Sequence, residues 1–209
     1  MTDFSALEFR QRVVEALARD AESHRSPVEQ TPIKDLAWHE GEVVALRDAA
    51  VLIPIVDRGQ EATVILTQRT SHLPSHAGQI AFPGGKVDDG DDSPQGAALR
   101  EADEEIGLAS RYVDTFGLLR PYISSTGYRI FPVLSTVQSG FDLVPNPCEV
   151  DEIFEVPLRF LMDPANHQRK SGEWRGKTRH YFAMPYKDHY IWGVTAGILR
   201  NLYETVYHS

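Results

Sequence analysis

Apolar residues along the chain alternate between two spacings, every third or fourth position and every second position, and each switch predicts an element. In residues 4–19, Phe4, Leu7, Val14 and Leu17 recur at helical spacing behind a possible cap at Ser5, which predicts an amphipathic helix packed on the body of the protein. Residues 20–44 are polar, contain Pro27 and Pro32 and hold no period, so an irregular connector is expected. His24, Trp38 and His39 within it lack metal-ligand spacing and are assigned to packing or solvent. Residues 49–56 (AAVLIPIV) form a continuous apolar run rich in β-branched side chains, a polar turn follows at 57–60, and 63–67 is apolar again. Two strands are predicted, the first buried on both faces. Pro54 cannot donate to a ladder, so an edge or a bulge is expected there.

Residues 94–106 return to helical spacing. Ser93 is a natural N-cap, Pro94 suits the first helical position and Gly107 suits the left-handed residue past the end. Leu99, Ala102 and Ile106 would dock this helix on the body. Strands are predicted at 115–119 and 129–137, separated by a turn-rich stretch at 121–127 whose small polar residues, with Tyr122 and Tyr128, are candidates to line a pocket, a structural turn being the alternative. The polar segment 163–177 is expected to be a hairpin excursion or a loop. Strands at 179–186 and 190–192 flank a turn at Lys187 and Asp188, and a closing helix at 194–206 carries Ile198, Leu199, Leu202 and Val206 on one face. Helices and strands interleave, which predicts an α/β (α+β) fold with helices against a mixed sheet. The chain divides into residues 1–44, helix and connector, and the domain proper at 45–209. No internal repeat marks a further domain.

Composition narrows the partners. The chain has 209 residues, 42% apolar and 24% charged, as expected of an ordinary globular protein. A formal net charge of −9 without a Lys- or Arg-rich run argues against nucleic-acid binding, while a small anionic ligand remains compatible with local arginines. Cys148 is the only cysteine, which excludes an intramolecular disulfide and a cysteine-based zinc site. No run approaches the roughly 18 apolar residues of a membrane span, and the N-terminus carries Asp3 and Glu8 rather than an apolar signal core. A cytoplasmic protein, monomer or homodimer, with no membrane partner is expected.

The candidate chemistry lies between Leu66 and Leu108. Glu101, Glu104 and Glu105 stand at i, i+3 and i+4, so they share one helix face and are expected to point outward. Like charges so gathered repel, and a hard divalent cation held by oxygen ligands, Mg²⁺ or Mn²⁺ rather than zinc, is the economical reason to keep them together. A merely solvated charged face is the alternative. Upstream, Gly84 and Gly85 would let the backbone approach a ligand closely.

Arg100 to Leu108 (READEEIGL) resembles the second half of the Nudix hydrolase box, G-x5-E-x7-R-E-U-x-E-E-x-G-U, with Ala102 at the aliphatic position. The first half is looser. Fourteen residues separate Gly85 from Arg100 where the box has thirteen, and Asp91 or Asp92 fills the acidic position. Residues 65–85 resemble the signature of the coenzyme A diphosphatase branch, with Ile65, Leu66, Thr67, Arg69, Gly78, Phe82, Pro83, Gly84 and Gly85 in register. Thr70 and Pro74 depart from it, the latter standing where that signature has an arginine. The run 191–199 (IWGVTAGIL) resembles the closing segment of the same branch.

This resemblance implies a Nudix fold, a mixed sheet sandwiched between helices with a loop-helix-loop catalytic motif. It further implies a metal-dependent hydrolase with a small-molecule nucleotide substrate, coenzyme A or its thioesters cut to 3′,5′-ADP and 4′-phosphopantetheine. Metal ligands would be Glu101, Glu104 and Glu105 with a main-chain carbonyl of Gly84 or Gly85. Arg100 would orient a glutamate. The general base would be Glu101 or a loop carboxylate, Glu149 before Glu152, on a loop followed by a strand. Substrate contacts would come from Arg69, His76, Phe82 and Gly84, with loop-stabilising hydrogen bonds the alternative role for His76. ADP-ribose, NADH and dinucleoside polyphosphates are alternative substrates of the same chemistry, and a nucleotide sensor without turnover is an alternative of another class.

Overall fold

The computed structural model of the chain describes residues 4–23, 46–73, 75–174 and 177–207. From residue 24 onward the expected connector, with His24, Trp38 and His39, lies outside the described residues, as does Pro74.

Helix α1 (Ala6–Ser23) runs past the expected end at 19. Its buried stripe is Phe9, Val13 and Ala16, whereas Leu7 and Val14 are 67% and 48% exposed. The apolar spacing therefore pointed to the wrong side at those two positions. The docked face is centred on Phe9, and Leu7 and Val14 lie well round the helix from it.

Strand β1 (Arg47–Asp57) pairs antiparallel with β2 (Ala62–Arg69) through Ile55 and Val64. It is the axis of the fold. Odd-numbered Ala49, Ile53 and Ile55 enter one apolar cluster and even-numbered Ala50, Leu52 and Val56 the other, so the strand is buried on both faces as expected.

Strands β3 (Ile80–Ala81) and β4 (Gly84–Lys86) belong to one short segment driven between β1 and β2 where those two splay. Ile80 pairs with Gln68 of β2, and Gly84 pairs with Val51 of β1. The Leu52 amide donates to Pro83 O at 2.8 Å between them. Pro54 is thus on neither an edge nor a bulge. It sits mid-strand, and because backbone amides alternate sides, its missing N–H falls on the same side as the Leu52 amide, in the gap before pairing with β2 begins at Ile55 and Val64.

Helix α2 (Pro94–Ile106) has the expected ends: Ser93 Oγ accepts from the Gly96 amide at 3.1 Å, and Gly107 adopts φ 67°. Next come β5 (Val113–Leu118), β6 (Tyr122–Ile123) and β7 (Tyr128–Val137). Strand β7 runs parallel to β1 along ten residue pairs, from Arg47 with Tyr128 to Val56 with Val137, and takes β5 on its other edge. Strand β8 (Val150–Pro157) covers the outer edge of β2. Among the described residues this makes a mixed sheet of eight strands.

A short helix α3 (Leu158–Leu161) leads to β9 (Gln168–Trp174), β10 (Lys177–Tyr186) and β11 (His189–Trp192), a small antiparallel sheet. The polar stretch 163–177 is therefore the outer arm of a hairpin, Arg169 pairing with Phe182. Helix α4 (Val194–Tyr207) closes the chain. Ala97, Ala98, Ala102 and Ile106 of α2 pack on one face of the large sheet, while Phe9 and Val13 of α1 with Ile198 and Leu202 of α4 pack on the other. The sheet is sandwiched between helices as expected. Among the described residues no helix is long and apolar enough to cross a membrane.

His167, buried between α3 and α4, donates from Nε2 to Leu161 O at 2.7 Å and meets Tyr203 edge-on. Burial, with Arg200 nearby, pulls its pKa below the ordinary 6.5. The unfolded chain then binds the proton more readily than the folded one. Its contribution to stability is full above pH 6.5 and is lost as pH falls through the lower folded value. The stability that the parent holds over His167→Gln should shrink as pH falls from about 7.5 to 5.5, read as a difference between their melting temperatures so that groups common to both proteins cancel. Identical pH slopes for the two proteins would contradict the assignment.

Candidate active site

The segment wedged between β1 and β2 brings its glycines against the carboxylates of α2. The Gly84 amide donates to Glu105 Oε2 at 3.0 Å. A Cβ on Gly85 would collide with all three carboxylate atoms of Glu101, so that side chain occupies space available only because residue 85 is glycine. The expectation that all three glutamates face outward is corrected by their burial. Glu105 is 3% exposed, Glu101 is half-buried, and only Glu104 reaches solvent freely. The i+4 position falls next to Ala102 and Ile106, so the helix face that docks on the sheet carries Glu105 inward with it.

Burial pushes the Glu105 carboxyl up to about 7, against the pull of the Gly84 amide and Arg69, and the neighbouring charges of Glu101 and Glu149 add to the rise. Glu101 is raised in the same way, first by burial, with Arg100 opposing and Glu104 and Glu149 reinforcing. Glu149 is thus close enough for its charge to act on both. Its loop is fastened to the end of α2: Val144 and Asn146 amides donate to the Ile106 and Glu105 carbonyls at 3.0 and 2.8 Å, and Thr70 N donates to Glu149 O at 2.9 Å. Glu152, the second loop candidate, instead pairs with His189 Nε2 at 3.2 Å.

Arg100 organises the acidic residues. Its Nη1 donates to Glu101 Oε1 and Glu104 Oε2, both at 3.0 Å, while Nε and Nη2 fork onto Asp91 at 3.0 Å and Nη2 also reaches Lys86 O at 3.2 Å. The sequence left Asp91 and Asp92 as equals; the fork selects Asp91. Hydrogen bonds from Arg100, and after them from the Asp88 amide, hold the Asp91 carboxyl below the usual range. The residue added to this loop is taken up in a turn where the Asp88 amide donates to Asp91 Oδ2 at 2.8 Å and Asp91 N to Asp88 O at 2.9 Å.

The remaining expected contacts line one cleft of about 170 Å³ that Gly84 also borders. Arg69, His76 and Phe82 line it together with Tyr128, Trp192 and Thr195. The two stretches singled out for their resemblance, 65–85 and 191–199, therefore meet in the same cleft. Arg69 reaches Glu105 Oε1 only at 3.4 Å, and its buried Nε has no hydrogen-bond partner among the described residues. The guanidinium keeps donors for an anion. His76 takes a left-handed backbone (φ 58°), and its Nδ1 hydrogen-bonds Gln79 Oε1 at 2.9 Å, so it stabilises its loop while lining the cleft. Ser124, Thr126 and Tyr128 come from the stretch whose small polar residues and tyrosines were candidates to line a pocket, whereas Trp192 was not anticipated as a cleft residue. Only the docking of the small sheet and of the 122–128 turn brings them here.

The donor set suits a hard cation: oxygen ligands only, two of them desolvated and like-charged. Among the described residues no three acidic, histidine or cysteine side chains already converge as a ligand set. Arg100 holds Glu101 and Glu104, and the Gly84 amide holds Glu105, in their present positions.

Comparison with known proteins places this arrangement. A profile of the NUDIX domain matches residues 46–175, more than half of the chain. The uncharacterized Nudix hydrolase NudL of Escherichia coli O7:K1 is 42% identical over 156 residues, 75% of this chain and 81% of that protein. NudL of Shigella boydii serotype 4 matches over the same share at the same identity. Among solved structures, the Nudix hydrolase RenU of M. smegmatis is 26% identical over 53% of this chain and 70% of its own, with a TM-score of 0.46. Nudix hydrolases act on nucleoside diphosphate derivatives and generally use divalent metal ions. On the extent of the domain match and the 42% identity to NudL, this chain belongs to the Nudix hydrolase family.

Proposed function

We propose that the protein is a Mg²⁺- or Mn²⁺-dependent diphosphatase whose substrate is coenzyme A or one of its thioesters, cleaved to 3′,5′-ADP and 4′-phosphopantetheine or its acyl derivative. The observation that carries the reaction class is the pair of desolvated carboxylates, Glu101 and Glu105, set against Gly84 and Gly85 beside two arginines. The coenzyme A choice is supported by the convergence of the 65–85 and 191–199 stretches on one cleft.

Glu101, Glu105 and Glu104, with a main-chain carbonyl of Gly84 or Gly85, would hold the metal. When bound, a divalent cation neutralises diphosphate charge and lowers the pKa of water. Arg69 binds a phosphoryl oxygen through its uncommitted N–H groups. Arg100, anchored by Asp91, sets the rotamers of Glu101 and Glu104. A carboxylate oxygen of Glu101 or Glu149 takes the proton of the attacking water, a service worth about 10² to 10⁴ in rate.

A substrate panel tests this. Incubated with Mg²⁺ and, separately, coenzyme A, acetyl-coenzyme A, NADH, ADP-ribose and diadenosine polyphosphates, the protein should release phosphopantetheine products at the highest kcat/KM, resolved by mass. Preference for ADP-ribose, NADH or a dinucleoside polyphosphate would overturn the substrate and keep the chemistry. Tight binding without turnover would make the protein a nucleotide sensor.

A further inference from the structure

The catalytic reading leaves one conspicuous side chain on the cleft unused. Trp192 ends β11, and it is 39% exposed although Ile191 beside it is fully buried. Its place in the sheet does not require an indole, because β11 is held by main-chain pairing of residue 192 with Ala183 and by the burial of Ile191. The ring is nevertheless braced. Tyr181 meets it edge-on, with ring centroids 5.5 Å apart and planes at 65°, and the Tyr181 side chain also hydrogen-bonds Tyr190. This contact restrains the indole while much of the ring stays open to solvent. Trp192 lines the same cleft as Arg69 and Gly84, which adjoin Glu105. Gln79, Ser124 and Thr126 supply polar atoms along the same walls.

We infer that Trp192 is the stacking platform for the nucleobase of the substrate, so that the nucleoside half lies between β11 and the 122–128 turn and its diphosphate extends toward Gly84 and Glu105. This rests on the diphosphatase reading and adds to it which half of the substrate the cleft receives. A planar base offers a rigid π-face to a braced indole and gives up little internal freedom on binding, whereas a pantetheine arm would have to freeze many rotors against the same flat surface. The polar side chains on the walls can then meet the edge of the base.

The experiment uses the full chain with Trp192→Ala and Trp192→Phe, titrated calorimetrically with ADP and, separately, with 4′-phosphopantetheine. ADP affinity should fall about 5- to 100-fold in the alanine variant. Phenylalanine should restore most of it, and phosphopantetheine affinity should be equal in all three proteins. With a diphosphate substrate the alanine variant should lose kcat/KM by a similar factor, mainly through KM. Unchanged ADP affinity in an alanine variant that melts like the parent would overturn the inference, as would a loss confined to phosphopantetheine. If the parent binds ADP through Trp192 yet cleaves no diphosphate, the platform stands and the catalytic reading falls. If the parent cleaves and the alanine variant matches it in KM, the reverse holds.

Discussion

Glu105→Gln is expected to lower metal-dependent turnover at least about 10²-fold while leaving the melting temperature unchanged or higher. Glutamine retains an oxygen to accept the Gly84 amide, so the contact between α2 and the wedged segment survives. What it removes is a buried charge facing Glu101 and Glu149. The sign follows from linkage. Burial lifts the folded-state pKa of Glu105 from 4.5 to about 7, so the folded protein holds that proton more tightly than the unfolded chain, and stability declines as pH rises through this window. Above it the parent bears the full cost of the ionised group, and the amide does not. A cation between the carboxylates would relieve the same cost, so Mg²⁺ should raise the melting temperature of the parent at pH 8 and raise that of the variant far less. A Glu105→Gln enzyme with parental kcat/KM would remove this residue from the machinery.

The adjacent glycines should separate cleanly under substitution. Gly84 has φ 154°, which L residues rarely adopt, and a Cβ there would overlap Ala50 O and Val51 Cα of the central strand. Neither backbone atom can move without breaking the sheet. Gly84→Ala should therefore cost on the order of 3 kcal/mol or more, read as a large fall in the midpoint of denaturant unfolding. At Gly85 the obstructing atoms belong to the end of the Glu101 side chain, which can swing away. Gly85→Ala should keep most of the stability and, on the proposed mechanism, lose about 10²-fold in kcat, because the Glu101 carboxylate would be displaced from its proposed position at the metal. Equal stability losses in the two variants would contradict the division between a structural and a functional glycine.

Much of this was legible in the chain because it depends on local rules. The capped helix at 94–106 is written in Ser93, Pro94 and Gly107, each acting within a few residues of itself. The burial of β1 on both faces follows from an unbroken apolar run. The presence of Arg100, Glu101, Glu104 and Glu105 on one short helix is likewise a matter of period. The errors arose where an outcome depended on a partner distant in sequence. The docked side of α1 depended on α4 and the sheet, which left Leu7 and Val14 exposed. Pro54 was tolerated in a central strand because β2 and the wedged segment diverge there.

The sequence by itself determined the repertoire: a helix bearing three glutamates and an arginine, a pair of glycines, a loop with Glu149, and the family to which they belong. Tertiary structure alone decided how these groups stand relative to one another and in what environment. Wedging residues 80–86 into the sheet turned Glu105 inward under the Gly84 amide, selected Asp91 over Asp92 as the anchor of Arg100, and made one cleft of segments more than a hundred residues apart in the chain. The reason is physical. Spacing along a helix sets direction, but desolvation and charge coupling depend on what the rest of the chain packs against each carboxylate, and no local pattern encodes that.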